Sequence, residues 1–210
     1  AAVVHEAGFE ARMTPSNCAS GSDRIAASLT PDDPFEILVN IQGDEPFIAP
    51  DVIDAVARAL VDHPASRVST AAVPIRDRAD FESPHVVKVV LRGDGRALYF
   101  SRSPLPSPAR LAPEAAAQPG FIWGLKHLGL YAYRRPILEA YAGWPPTPLE
   151  QRESLEQLRL LERGHDIQVA VVEHDSIGVD TPEELDALNL RMESSTTSNP
   201  SAPLNKESFR

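Results

Sequence analysis

Cysteine is almost absent. Cys18 is the single thiol, so no intrachain disulfide can form, which suits a reducing compartment. Lysine is nearly as scarce: Lys88, Lys126 and Lys206 are the only three, and the formal net charge is −10. That balance gives a duplex nucleic acid no electrostatic support, because neutralising phosphates needs a basic stripe and none is present. An anionic ligand would have to be held by local Arg, His or metal rather than by the field of the whole protein. No apolar run approaches the roughly 18 residues of a membrane-spanning helix. The opening Ala1–Glu6 has no basic region followed by a hydrophobic stretch, so it does not read as a secretory signal. It also lacks a methionine and reads as the inside of a helix. A cytoplasmic location with no membrane association is therefore expected.

What is present suits one α/β unit. At 210 residues and 42% hydrophobic, the chain can bury a full core. Residues 1–7 read as a helix end stopped by Gly8, and residues 9–13 as a short strand. Ser20 to Leu29 reads as a capped helix. Residues 36–41 form a short, β-branched apolar run, the profile of a strand buried on both faces. Residues 50–61 read as an amphipathic helix with Val52, Val56 and Leu60 inward. Residues 68–75, 85–91 and 96–100 are strand-like, the last two joined at Gly93-Asp94-Gly95 as a hairpin. The Pro- and Ala-rich stretch 104–120 predicts a long loop. A strand at 128–133, a helix at 149–162 ended by Gly164, a strand at 167–172 and a helix at 182–192 follow. Residues 193–210, rich in Ser, Thr, Asn and Pro, predict a disordered tail. Strands alternating with helices, plus one hairpin, predict a three-layer α/β sandwich with a mixed, mostly parallel sheet.

Chemistry is expected where strands end. Gln42-Gly43-Asp44-Glu45-Pro46 directly follows the strand at 36–41, and in open α/β sheets ligands bind at the carboxyl ends of strands. Gly43 allows close backbone approach, and Asp44 presents a carboxylate there. Asp180, in Gly178-Val-Asp-Thr-Pro182, has the same setting between the last strand and the last helix. Each acid also has a plain structural reading, Asp44 as a turn residue and Asp180 as a helix cap. Two carboxylates converging at sheet ends suit Mg²⁺, which takes one or two carboxylates and completes its shell with phosphates and water.

Five segments then stand in one order: Gln42-Gly-Asp-Glu-Pro46, Tyr99-Phe-Ser-Arg-Ser-Pro104, His127-Leu-Gly-Leu-Tyr-Ala-Tyr-Arg134, Leu155-Glu-Gln-Leu-Arg159 and Gly178-Val-Asp-Thr-Pro182. Together they closely resemble the 3-deoxy-manno-octulosonate cytidylyltransferases (CMP-Kdo synthetases), over nearly all of residues 1–192. Gly-Asp-Glu-Pro alone is shared in form by other sugar nucleotidylyltransferases; the tyrosine strand and the Leu-Glu-Gln-Leu-Arg helix point to the Kdo branch.

The resemblance implies a nucleotide-diphospho-sugar transferase-like fold, with residues 1–192 as the cytidylyltransferase domain. It implies transfer of CMP from CTP to Kdo with release of pyrophosphate, for lipopolysaccharide biosynthesis, with Mg²⁺ as cofactor and a homodimer as the assembly. By the same resemblance, Asp44 and Asp180 are the catalytic metal ligands. Gln42, His127, Tyr131, Glu156 and Gln157 contact Kdo, and Arg102 pairs with an anion. Ser20-Gly21-Ser22-Asp23-Arg24 matches the family's Ser-Gly-Thr-(Asp/Glu)-Arg segment beside the cytidine, so Ser20, Gly21, Ser22 and Arg24 are expected at the nucleotide. The family's first strands and its basic, phosphate-wrapping loop have no counterpart here, so turnover by this chain alone is expected to fall several orders of magnitude below that of a complete relative. Two other readings stay open: a CMP-sialic acid synthetase-like enzyme, and a non-catalytic remnant acting as a binding module.

Overall fold

The computed structural model describes residues 1–18, 20–43, 45 and 48–175. In chain order the elements are α1 (Ala2–Glu6), α2 (Gly21–Ser28), β1 (Ile37–Asn40), α3 (Pro50–Asp62), β2 (Val68–Ile75), α4 (Arg78–Glu82) and β3 (Lys88–Leu91). They continue with β4 (Ala97–Ser101), α5 (Pro113–Ala116), β5 (Gly124–Arg134), α6 (Arg135–Ala142), α7 (Pro148–Glu153), α8 (Leu158–Glu162) and β6 (Ile167–Val171).

The local signals act as their chemistry predicts. The Ser20 hydroxyl accepts from the Asp23 N–H at 3.1 Å and so caps α2. In α3, Val52, Val56 and Leu60 are almost wholly buried, each worth about 1.5–3 kcal/mol of transfer free energy. Gly95, at φ +81°, closes the β3–β4 hairpin, a backbone state that a side chain resists.

Alternation along β2 and β5 builds two cores, one on each face of the sheet. Leu128, Leu130 and Ala132 pack with Val52, Val56 and Leu60 of α3. Tyr131 and Tyr133 face the other way, against Ile137, Leu138 and Tyr141 of α6 and Leu158 and Leu160 of α8. The result is a three-layer α/β sandwich.

The six strands form one mixed sheet, in the order β4-β3-β5-β2-β6 with β1 also on β5. Among the described strands only β2–β6 is parallel, so the sheet is mostly antiparallel, not mostly parallel as the strand–helix alternation predicts. The reason is topological. β2 and β3 run the same way and are linked through α4, but β5 inserts between them in the opposite sense, turning one potential parallel pair into two antiparallel ones.

Four local expectations also change. Residues 9–13 form no strand; Arg12 instead makes a two-pronged ion pair with Asp33, at 2.7 and 2.8 Å. β1 is only half-buried, with Asn40 its one buried residue. The helix expected over 149–162 breaks in two at Ser154, which takes a left-handed conformation at φ 53°. The strand at 128–133 extends to eleven residues. The helix at 182–192 and the tail at 193–210 lie outside the described residues.

Candidate active site

β5 is longer than its partners on one edge. Along that edge β1 pairs with residues 131–134 and β3 with residues 125–126. Between them β5 has no strand partner, and the chain leaving β1 faces the chain entering β3 across this gap. Here lies a cleft of about 680 Å³, lined by residues 85–87, 126–129 and 154–157 together with Gln42, Glu45, Arg102 and Tyr131. The six side chains expected to contact a sugar acid (Gln42, Arg102, His127, Tyr131, Glu156 and Gln157) all line it. They come from four separate segments, and nothing local in the sequence forces them together.

The floor follows from the period of two along β5. His127, Gly129 and Tyr131 share a face. Gly129 leaves space that Glu45 uses: a Cβ at 129 would lie 3.1 Å from Glu45 Oε1. His127 is buried, with Nε2 2.9 Å from Thr70 Oγ1 and the edge of Phe100 at 5.0 Å between centroids. Burial pushes the imidazole pKa down to about 3, so the ring is neutral at ordinary pH. Tyr131 lies between His127 and Tyr133 with its ring tilted to both, and its phenol is held protonated, first by burial and then by the neighbouring Tyr133 and Glu156.

The far wall is the break between α7 and α8. Arg102 fixes it by donating from Nε to Glu153 O at 2.9 Å, from Nη2 to Ser154 O at 3.4 Å and from Nη1 to Pro84 O at 3.2 Å. The Glu153 carboxylate accepts in return from Ser101 Oγ at 2.8 Å and Arg102 N at 3.0 Å. Arg159 grips Glu150 with two bonds and ties the two short helices. All the partners of the Arg102 guanidinium are neutral carbonyls, so its charge remains available to an anion in the cleft. Lys88 completes the frame. It is fully buried, and its ammonium donates to Ser83 O, Val86 O and Arg102 O at 2.7, 2.6 and 2.5 Å, fastening the 83–86 segment to the hairpin.

The break brings Glu156 and Gln157 inward. Burial raises the Glu156 pKa, against Arg159, which lowers it. Gln157 is 4% exposed, and among the described residues its Nε2 has no hydrogen-bond partner. Glu45 Oε2 is likewise buried and unpartnered. Glu45 was missed by sequence reasoning because an acid before proline reads as a turn residue. A buried donor and a buried acceptor left open in the same cavity are a signal that only the assembled fold carries.

The residues expected at the nucleotide sit next door and divide. Gly21 presses on Gln42, where a Cβ would meet its side-chain nitrogen at 3.2 Å. Ser20 is the helix cap. Ser22 is fully buried, its hydroxyl 3.2 Å from Tyr133 OH and 3.5 Å from Glu156 Oε1, which couples α2 to the cleft. Arg24 turns away, donating to Thr14 Oγ1 and Pro15 O, and lines a separate cavity of about 370 Å³ near Phe35. Asp44 and Asp180 lie outside the described residues. Among the described residues no cluster of three or more His, Cys, Asp or Glu has metal-binding geometry. Among them, too, no helix is long and apolar enough to cross a membrane.

A profile of the family described as Cytidylyltransferase matches residues 1–167, which sets the class. The chain is 47% identical over 196 residues to 3-deoxy-manno-octulosonate cytidylyltransferase of Rhodopirellula baltica, covering 92% of this chain and 78% of that protein. It is 49% identical over 185 residues to the enzyme of that name from Pelobacter propionicus, covering 85% and 71%. A solved structure of CMP:2-keto-3-deoxy-manno-octonic acid synthetase complexed with CTP superposes with a TM-score of 0.82 at 38% identity, over 92% of this chain and 76% of that one. The chain belongs to the 3-deoxy-manno-octulosonate cytidylyltransferase family.

Proposed function

We propose that this cleft receives the sugar acid in a reaction that passes CMP from CTP to 3-deoxy-D-manno-octulosonate, giving CMP-Kdo and pyrophosphate for lipopolysaccharide biosynthesis. The observation that carries this reading is the pair of buried polar atoms without partners among the described residues, Gln157 Nε2 as donor and Glu45 Oε2 as acceptor, on side chains that line one cleft with the Arg102 cation. A buried polar atom without a partner costs about 1–3 kcal/mol, so a ligand with groups of both senses removes two penalties on binding. Kdo offers several hydroxyls and a carboxylate. Gln42, His127, Glu45, Glu156 and Gln157 would read the hydroxyls, Arg102 would face the carboxylate, and Tyr131 would form the apolar floor.

The chemistry asks for positioning and charge neutralisation rather than a covalent residue. The attacking hydroxyl must stand about 3–3.5 Å from the α-phosphorus. The Ser20–Arg24 segment, touching the cleft through Gly21 on Gln42 and Ser22 on Glu156, suits the role of nucleotide neighbour. Asp44 and Asp180 would hold Mg²⁺. Two carboxylates are the donor chemistry that a hard cation takes. When bound, such an ion neutralises triphosphate charge. A homodimer in the cytoplasm is part of the same proposal.

Pyrophosphate release from CTP, with Kdo and separately with N-acetylneuraminate, tests it alongside direct titration of the chain with each sugar acid. Kdo binding is expected, with Kdo-dependent release several orders of magnitude slower than in a complete relative. A preference for N-acetylneuraminate would move the protein to the sialic acid branch, and tight Kdo binding with no release would reduce it to a binding module.

A further inference from the structure

Thr70 is fully buried where β2 meets a bulge in β5: Thr70 pairs with Tyr131 but Ala71 with Leu128, so Gly129 and Leu130 are the extra residues. Its hydroxyl oxygen has three polar neighbours: Leu130 O at 2.7 Å, Leu128 O at 3.2 Å and His127 Nε2 at 2.9 Å. A hydroxyl owns one hydrogen. Both carbonyls are acceptors, so each contact is favourable only if that hydrogen points toward them, and the shorter one, to Leu130, takes it. None remains for the ring nitrogen. Nε2 must therefore carry a hydrogen of its own and donate it to the Thr70 lone pair. A neutral imidazole has one N–H, which leaves Nδ1 with a bare lone pair. Among the described residues Nδ1 has no partner, and the ring lines the cleft, clasped between Phe100 and Tyr131.

We propose that Thr70 is a positioning residue that locks His127 as the Nε2–H tautomer, so that Nδ1 presents a fixed hydrogen-bond acceptor to the cleft and selects a ligand hydroxyl at that point. The second half rests on the sugar-site reading above; the first does not. Fixing a histidine tautomer through the bond made by its other nitrogen is a general device. Here the bonded partner is a threonine whose own proton is committed to the backbone.

Nitrogen-15 NMR of the imidazole in the ligand-free chain, with the His127 signals assigned by their loss in His127→Gln, reads the tautomer directly. The expected result is a protonated Nε2 and a bare Nδ1. In Thr70→Ser the pattern should persist, with Kdo affinity within about twofold of the parent. In Thr70→Val the tautomers should mix and Kdo affinity fall about tenfold, while CTP affinity stays within about twofold. An Nδ1–H tautomer in the parent chain overturns the proposal. So does Thr70→Val with tautomer and Kdo affinity both unchanged. If Thr70→Val does not fold, the parent spectrum and Thr70→Ser decide. Absence of any Kdo response in a parent with the expected tautomer would strike the sugar-site reading and the hydroxyl selection together, and leave the Thr70 lock standing.

Discussion

Replacing Lys88 with methionine should do more damage than an ordinary strand substitution, and the size can be worked out. Methionine keeps the unbranched stem but removes the ammonium that serves Ser83 O, Val86 O and Arg102 O. Each carbonyl left open in the interior costs about 1–3 kcal/mol. Against that, burying an ammonium costs several kcal/mol that methionine does not incur. Three orphaned acceptors outweigh one relieved cation, by about 3 kcal/mol. For a chain of this size that is a fall of about 6–12 °C in melting temperature. Urea titration followed by circular dichroism measures it. The loss should come with weaker Kdo binding, because Lys88 pins the 83–86 segment that adjoins the wall formed by His85, Val86 and Val87. Burial first, and then Arg102, lowers the Lys88 pKa. The unfolded chain therefore binds the extra proton in the window below the ordinary lysine value, and parental stability should rise with pH there while the variant's does not. A stability change within about 0.5 kcal/mol would refute the reasoning, since it would mean that the three carbonyls find water at no cost.

Gln157→Ala should weaken Kdo use about tenfold or more and leave CTP use within about twofold, because it removes an open donor that a substrate group completes; equal damage to both substrates would make the residue a support for α8 only. His127, with a folded pKa of about 3 against an ordinary 6.5, should cost the protein about 2 kcal/mol between pH 7 and pH 5, because the unfolded chain takes up the proton that the folded one refuses. Glu156 is shifted upward and works in the opposite sense, so the difference between the parent and His127→Asn in urea titrations at the two pH values is the quantity to compare. Ser154→Val should lose about 1–2 kcal/mol, since a β-branched side chain resists φ 53°, whereas Ser154→Gly should stay within about 1 kcal/mol.

Much of the fold is legible in the sequence because its signals are local. The Ser20 cap, the inward stripe of α3 and the glycine turn of the hairpin each need only a few neighbouring residues to act. What the sequence hides is decided at a distance. The pattern from Leu149 to Glu162 reads as one helix; it breaks because Arg102, some fifty residues earlier, binds the carbonyls of Glu153 and Ser154. Lys88 reads as an ordinary strand lysine until Ser83, Val86 and Arg102 gather around it. Six cleft residues stand out through the family resemblance, not through periodicity, and Glu45 does not, because its place in the cleft exists only once Gly129 leaves room for its carboxylate.

The position of β5 at the centre of the sheet has a consequence for how the protein is made. Among the described strands, β1 pairs only with β5, β2 only with β5 and β6, and β3 with β5 and its hairpin partner β4. Until β5 emerges from the ribosome, the β3–β4 hairpin is therefore the one pairing that β1 to β4 can form among themselves. β1 and β2 must wait, with their apolar faces unpaired, until residues 124–134 appear and close several long loops at once. Pairing among these strands should therefore be abrupt rather than gradual. A nascent chain stalled just before Gly124 should be digested by protease far faster than one stalled a few dozen residues beyond Val171.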